Sequence, residues 1–313
     1  MQPWHPKRIV VGYERSDGVT DLMLAVRPDL EFRSRRFEEI TEDDLAWAEV
    51  YLGFRRPVPG RWGGVRWIHS TGAGVDRFVF RGDLPHEILL TRSPEDFGPQ
   101  IGEYCLARML AVTQQLRAFD TAQARRSWSA LVPDLLAGTR AVVVGTGMVG
   151  QGIATVVAAQ GVVVEGVSRS GAAQAPFSRV HRVEGLAQAL VGARWLVLAA
   201  PLTEASHHLI DRALLSRLDG VHLINVGRGA LMDEAVLQEA LERGWLAGAS
   251  LDVFEVEPLP PDSPLWMDQR VTVSPHCSGV TSLSAASDGF LECLADVEAG
   301  RTPRWAIDRV RGY

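Results

Sequence analysis

Short apolar runs alternate with helix-length amphipathic stretches along most of the chain. Residues 8–13, 48–54 and 65–70 form an early group of runs; residues 141–145, 162–168, 195–200, 222–226, 248–254 and 271–274 form a later one. The later runs are apolar at nearly every position. That is the pattern of parallel strands covered by helices on both faces, and it predicts an α/β fold. Between the two groups, Ser93 reads as a helix N-cap and Pro94 as the first helical residue, with Glu95 and Asp96 suited to the positive helix end. Residues 101–116 carry apolar side chains on most faces, so this helix needs burial on several sides. The pattern breaks over residues 125–136, around Pro133, in a connection to a new sheet. Residues 282–300 read as one last helix, stopped by Gly300 and Pro303. No repeat of fixed period and no low-complexity segment interrupts this order.

Composition narrows the setting. The 313 residues are 46% hydrophobic and 22% charged, a globular balance with length for about two domains. A net charge of −6 gives no electrostatic footprint for nucleic acid. Cys105, Cys277 and Cys293 are too few and too scattered for a disulfide framework or a zinc site, and no metal site is expected. They fit a reducing, cytoplasmic compartment. The first residues lack the apolar core of a signal peptide, and no apolar run reaches the roughly 18 residues of a membrane helix, so no membrane partner is expected.

The later group opens with a candidate nucleotide site. The run from Ala141 leads straight into Gly145-Thr146-Gly147-Met148-Val149-Gly150, and a helical pattern follows. A strand, a G-x-G-x-x-G turn and a helix are the context that gives this motif meaning. Gly145 allows the tight turn, Gly147 lets backbone approach a pyrophosphate, and Gly150 permits close helix–strand packing. The phosphates would sit on the helix N-terminus, where free N–H groups and the dipole favour anions. The next strand selects the cofactor. An NAD site of this kind ends that strand with an acid for the ribose 2′-hydroxyl. Here Ser168 holds the position, 18 residues beyond Gly150, and Arg169 and Ser170 follow. Serine and arginine suit a 2′-phosphate, because guanidinium matches phosphate geometry. NADP, as NADPH, is therefore the expected cofactor; Arg169 as a solvated loop charge, with NAD bound instead, is the alternative.

Three later segments carry candidate chemistry: Ile-Asn-Val-Gly-Arg-Gly at 224–229, Asp-Val-Phe-Glu-Val-Glu-Pro at 252–258 and Ser-Pro-His-Cys-Ser-Gly at 274–279. Arg228 follows a strand end, where ligands of open α/β sheets collect, and can grip a carboxylate and polarise a carbonyl. His276 follows another strand end and is the natural proton donor near neutral pH. Glu257 and Glu255 both offer a carboxylate that would favour imidazolium and orient its ring. His207 and His208 fall in a loop and are given no chemistry.

The order and wording of these segments resemble the D-isomer-specific 2-hydroxyacid dehydrogenases, from about Ser70 onward. Ser168-Arg169-Ser170 is similar to the NADP-preferring glyoxylate/hydroxypyruvate reductase branch. The resemblance implies two Rossmann-like domains, with a nucleotide domain at 93–280 inserted into a smaller flavodoxin-like substrate domain at 1–92 plus 281–313. It implies reduction of a small 2-keto acid to the D-2-hydroxy acid, and the reverse, by a homodimer; residues 101–116 then read either as a buried interdomain helix or as one that also packs on a second subunit. The Glu-Pro pairing selects Glu257 over Glu255. The resemblance also assigns Ala200 and Pro201 to the adenosine side, Val226 to the nicotinamide ribose and Asp252 to the carboxamide. Ala73 and Gly74, in the glycine loop 70–76, become backbone ligands of the substrate carboxylate, with His276 and Arg228 beside it. Phe54 reads as packing, Arg55 and Arg56 as solvated, and Trp305 either as core or as a pocket lid. Two other readings survive: an NAD(P)H-sensing protein without turnover, and another nucleotide-dependent enzyme such as a methyltransferase.

Overall fold

The computed structural model describes residues 2–12, 16–57, 61–80, 84–93, 96–128 and 130–309. Its two compact units are Met1–Glu95 with Thr281–Tyr313, and Asp96–Val280.

In the first unit, strands β1 (Arg8–Gly12), β2 (Glu31–Arg35), β3 (Val50–Gly53), β4 (Trp67–Ser70) and β5 (Leu89–Arg92) form one parallel sheet in the order β2-β1-β3-β4-β5. This is the flavodoxin-type order. Side chains alternate across it with the period of two expected of strands. Ile9, Val11, Val50, Leu52 and Trp67 share a core with Met23 of helix Ser16–Val26 and Phe290, Leu294 and Val297 of helix Leu283–Glu298. Val10, Tyr51 and Ile68 point the other way, into a core with Leu45, Trp62 and Phe78. The helix that closes the chain is capped by Ser282, whose hydroxyl accepts from the Ala285 amide at 3.1 Å, and it ends before Gly300 at φ 69°.

In the second unit, β6 (Arg140–Val144), β7 (Val163–Ser168), β8 (Arg179–Arg182), β9 (Trp195–Leu198), β10 (Val221–Asn225), β11 (Leu246–Leu251) and β12 (Val271–Val273) pair in parallel, in the order β12-β11-β10-β9-β6-β7-β8. The order reverses between β6 and β9, which is the switch point of a Rossmann sheet. Helix Gly98–Thr113 crosses helix Met148–Ala158 with backbones in contact: a Cβ on Gly152 would lie 2.2 Å from the Cα of Gly98.

The parallel α/β architecture follows the apolar runs, with boundaries shifted by one to three residues. Three strands escape that pattern: β2, β5 and β8, all at sheet edges. An edge strand is half solvated, and β2 and β8 read Glu-Phe-Arg-Ser-Arg and Arg-Val-His-Arg. The helix expected from Pro94 starts instead at Gly98, and Pro94, Glu95 and Tyr13 lie outside the described residues. Ser93 is no cap, because its hydroxyl meets Nε2 of His69 at 3.1 Å; the Asp96 carboxylate accepts from the Gly98 amide at 2.9 Å. Residue 115 breaks the next stretch at φ 53°, and a second helix spans Leu116–Ala124. Among the described residues, no helix is long and apolar enough to cross a membrane.

His69 is fully buried between Thr91, 2.7 Å from Nδ1, and Ser93, and burial pushes its imidazole down to about 3. The folded state therefore resists a proton that the unfolded chain takes near pH 6.5. This contribution to stability is complete above pH 6.5 and is lost as pH falls toward 3, reaching a cost of about 2 kcal/mol at pH 5. Denaturant unfolding at pH 7 and pH 5 should show a smaller pH difference for His69→Gln than for the parent; an unchanged difference overturns this account.

Candidate active site

Arg228, Glu257 and His276 lie past the carboxyl ends of three adjacent strands, β10, β11 and β12. The Glu257 carboxylate meets Nδ1 of His276 with both oxygens, at 2.9 and 3.1 Å. Oε1, the oxygen at 3.1 Å, also accepts from the Phe254 amide at 3.2 Å, which fixes the carboxylate against its own loop. Glu255 goes elsewhere: it pairs with Nε2 of His208 at 2.9 Å and accepts from the Glu234 amide. The geometry thus separates the two competing carboxylates. His208, Asp233 and Glu255 each bring a potential metal ligand within 4.8 Å of one another. The His208–Glu255 pair and the turn amides of Glu234 and Ala235 already account for these groups.

Arg228 is half buried, in extended backbone, and its Nη1 donates to the Gly227 carbonyl at 2.7 Å. Asn225, at the end of β10, ties the turn: its Oδ1 accepts from the Gly227 amide and its Nδ2 donates to the Arg228 carbonyl. Gly229 is required by close approach, since a Cβ there would lie 1.9 Å from the carbonyl carbon of Phe254. The Gly-Arg-Gly turn is in this way pressed against the segment that carries Glu257.

The His276 turn hangs on Asp252. Leu251 pairs with Val273 in register, so the next residues on the two strands, Asp252 and Ser274, come side by side. Asp252 is fully buried. Its Oδ1 accepts from the Ser274 hydroxyl at 2.6 Å and the Cys277 amide at 3.0 Å; its Oδ2 accepts from the Ser278 amide at 2.8 Å. Its carbonyl accepts from the His276 amide at 2.8 Å. His276 is thereby held at φ 51°, a conformation a non-glycine residue keeps only when its surroundings impose it. Tyr104 of helix Gly98–Thr113 extends the chain, with its hydroxyl 2.6 Å from Ser274 Oγ. Burial raises the phenol pKa and keeps it protonated as a donor. Sequence reasoning gave Asp252 a role toward the cofactor and missed Tyr104, Ser274 and the two amides. Only the strand register could have revealed them.

The nucleotide loop has the form its motif demands. Gly145 follows β6 at φ 106°, and a Cβ on Gly150 would lie 1.9 Å from the Gly145 carbonyl oxygen. Gly147 is exposed, and a Cβ on it would meet nothing within 4 Å. It is the N-cap of helix Met148–Ala158 and has no side-chain cap, so the first amides of that helix face an open side. Met148 is half exposed and Val149 partly so; Thr146 receives the Gln151 amide on its carbonyl. These residues fit a bound pyrophosphate. Ala199 and Ala200 flank the loop across the switch point, since a Cβ on Gly145 would come within 2.8 Å of both; Pro201 follows them at the surface. Val226 is buried at the end of β10. Ser168 closes β7, and its hydroxyl accepts from the Gly171 amide at 3.1 Å, closing a tight turn that carries the exposed Arg169 and Ser170.

In the first unit, Ser70 Oγ lies 3.1 Å from the carbonyls of both Gly72 and Gly74, and Arg92 donates to the Ala73 carbonyl at 2.9 Å. With these carbonyls tied down, the half-buried amides of Ala73 and Gly74 meet no acceptor among the described residues. Phe54 packs on this loop, at 2.8 Å from where a Cβ of Gly72 would be. Trp305 packs against the unit's core and donates to Glu292, which favours the core reading over a lid.

Comparison with known proteins adds to this geometry. Residues 106–278 match the family model for the NAD binding domain of D-isomer specific 2-hydroxyacid dehydrogenases. A glyoxylate/hydroxypyruvate reductase A from Serratia proteamaculans is 33% identical over 80% of this chain and 82% of its own length. A D-isomer specific 2-hydroxyacid dehydrogenase from Xanthobacter autotrophicus, solved with NADPH and MES, is 31% identical with a TM-score of 0.85, over 98% of this chain and all of that one. An NADPH-dependent glyoxylate/hydroxypyruvate reductase from Sinorhizobium meliloti, solved with NADP and sulfate, is 27% identical with a TM-score of 0.84, over 98% of this chain and all of that one.

If the Asp252 carboxylate holds the His276 turn, Asp252→Asn, which keeps one of the two acceptor oxygens, should leave either the Cys277 or the Ser278 amide without its acceptor. An amide nitrogen cannot replace a lost acceptor, and each such bond contributes about 1–3 kcal/mol to local closure. Hydrogen exchange at one of these two positions should accelerate at least about tenfold, and far less in Ser274→Ala, which keeps both acceptors. Unchanged exchange in Asp252→Asn overturns the assignment.

Proposed function

We propose that the chain, which belongs to the D-isomer specific 2-hydroxyacid dehydrogenase family, reduces a small 2-keto acid of the glyoxylate or hydroxypyruvate type to the D-2-hydroxy acid with NADPH. The observation that carries this reading is the His276–Glu257 pair, set on the same sheet edge as Arg228. Its relatives named as glyoxylate/hydroxypyruvate reductases support the substrate class.

When bound, the nicotinamide supplies a hydride to the keto carbon. His276 gives a proton to the carbonyl oxygen, so the C=O bond becomes H–C–O–H and the imidazole is left neutral. Glu257 engages Nδ1, which fixes the ring and leaves the exchange to Nε2. The carboxylate also steadies the imidazolium before transfer. Arg228 places positive charge where the carbonyl oxygen becomes negative, and pairs with the substrate carboxylate. In the first unit, the same reading gives the amides of Ala73 and Gly74 a role as carboxylate donors. In the oxidative direction, neutral His276 takes the hydroxyl proton.

NADPH is preferred over NADH on the strength of Ser168, Arg169 and Ser170. The carboxyl end of β7 offers hydroxyls and a guanidinium where an NAD site would offer a carboxylate. The relatives solved with NADPH and NADP point the same way.

Two tests follow. NADPH oxidation across small and bulky 2-keto acids should show turnover with glyoxylate and hydroxypyruvate, and His276→Gln should lower kcat by about 10²–10⁴-fold. NADPH binding without turnover on any acid would instead favour a sensor, and a full-speed His276→Gln would overturn the mechanism. Separately, Arg169→Asp should raise KM for NADPH at least about tenfold more than KM for NADH; an unchanged ratio removes the cofactor preference.

A further inference from the structure

The turn after β7 has a neighbour that the chain order conceals. Strand β8 lies beside β7 at the sheet edge, and its last residue, Arg182, pairs in register with Ser168. In-register partners on parallel strands stand about 4.8 Å apart with side chains on the same face. The loop between them folds back onto this arginine: a Cβ on Gly171, at φ 65°, would lie 2.6 Å from Arg182 Cγ and 3.2 Å from its amide nitrogen. The stem of Arg182 is therefore packed against the same turn that carries Arg169 and Ser170.

Arg182 is exposed, and its guanidinium makes no ion pair or hydrogen bond among the described residues. The nearby carboxylate on β7, Glu165, is already taken by Arg140 at 3.1 Å and by His181 at 2.5 Å. Residues 168–171 contain no acid. A guanidinium without a carboxylate partner, on a side chain packed against the turn that carries a second arginine, lowers the energy of an anion placed beside both.

We propose that Arg182 is a second cation for the 2′-phosphate of NADP(H), acting beside Arg169 and setting cofactor specificity from the adjacent strand. This rests on the reading that the chain prefers NADP(H). The phosphate would supply the counter-charge that Arg182 lacks, with Ser168 and Ser170 offering hydroxyl donors around it.

The test uses the full chain and two fragments, adenosine 2′,5′-bisphosphate and 5′-AMP, with calorimetry as the readout. The parent should bind the bisphosphate more tightly than 5′-AMP. Arg182→Ala should weaken the bisphosphate by about 5- to 20-fold and 5′-AMP by less than about twofold, with Arg182→Lys restoring part of the loss. KM for NADPH should rise in parallel, and KM for NADH should not. If the parent shows no preference for the bisphosphate, the NADP reading itself fails. If Arg169→Asp abolishes that preference while Arg182→Ala leaves it intact, or if Arg182→Ala weakens both fragments equally, the role of Arg182 is overturned.

Discussion

A fully buried carboxylate organises the chemical end of the second sheet. Asp252 is shut off from bulk solvent, and a buried carboxyl group is tolerated only where hydrogen-bond partners surround it. Here the donors are the Ser274 hydroxyl and the amides of Cys277 and Ser278. They come from the turn that presents His276, so satisfying the carboxylate and shaping the turn are the same event. The left-handed backbone of His276 follows from this closure. Its imidazole then meets a Glu257 carboxylate whose own loop is fixed by the Phe254 amide, and the Gly229 contact seats Arg228 on that same loop.

The sheet divides its labour about the switch point. Strands β6, β7 and β8 end in the residues proposed for the nucleotide: Gly145 to Gly150, Ser168 to Ser170, and Arg182. Strands β10, β11 and β12 end in Arg228, Asp252 and His276. Between the halves, the Gly145 turn touches Ala199 and Ala200, and Gly227 approaches the Ala200 carbonyl. The two proposed sites are thus joined through backbone contact rather than through long side chains, which leaves each half free to vary its own side chains.

Central strands were legible in the sequence because burial on both faces demands continuous apolar runs, as in Val142, Val143 and Val144. The Gly145–Gly150 loop was legible because its glycines answer local steric demands. The contest between Glu255 and Glu257 could not be decided from spacing, since both follow β11 within a few residues; only the fold sends one to His208 and the other to His276. Ser274 and Arg182 were illegible for a related reason. Each acquires its meaning from a partner on a neighbouring parallel strand, and register between such strands is set by the whole sheet. The helix start at Gly98 was misplaced because Ser93, a good cap by type, is bonded to His69.

The strands that escaped notice have a further consequence. An open sheet ends in unpaired N–H and C=O groups that can template a strand from another molecule. Each of the four edges is closed to that event in its own way. Arginines stud β2 and β8, and the segment from Trp305 to Ile307 pairs along β5. On β12, the guanidinium of Arg117 occupies the carbonyl of Val271 at 2.9 Å and that of Gln269 at 2.7 Å. The least hydrophobic parts of both sheets are therefore a guard against aggregation, and replacing edge arginines with apolar residues would add little core while opening a path to misassembly.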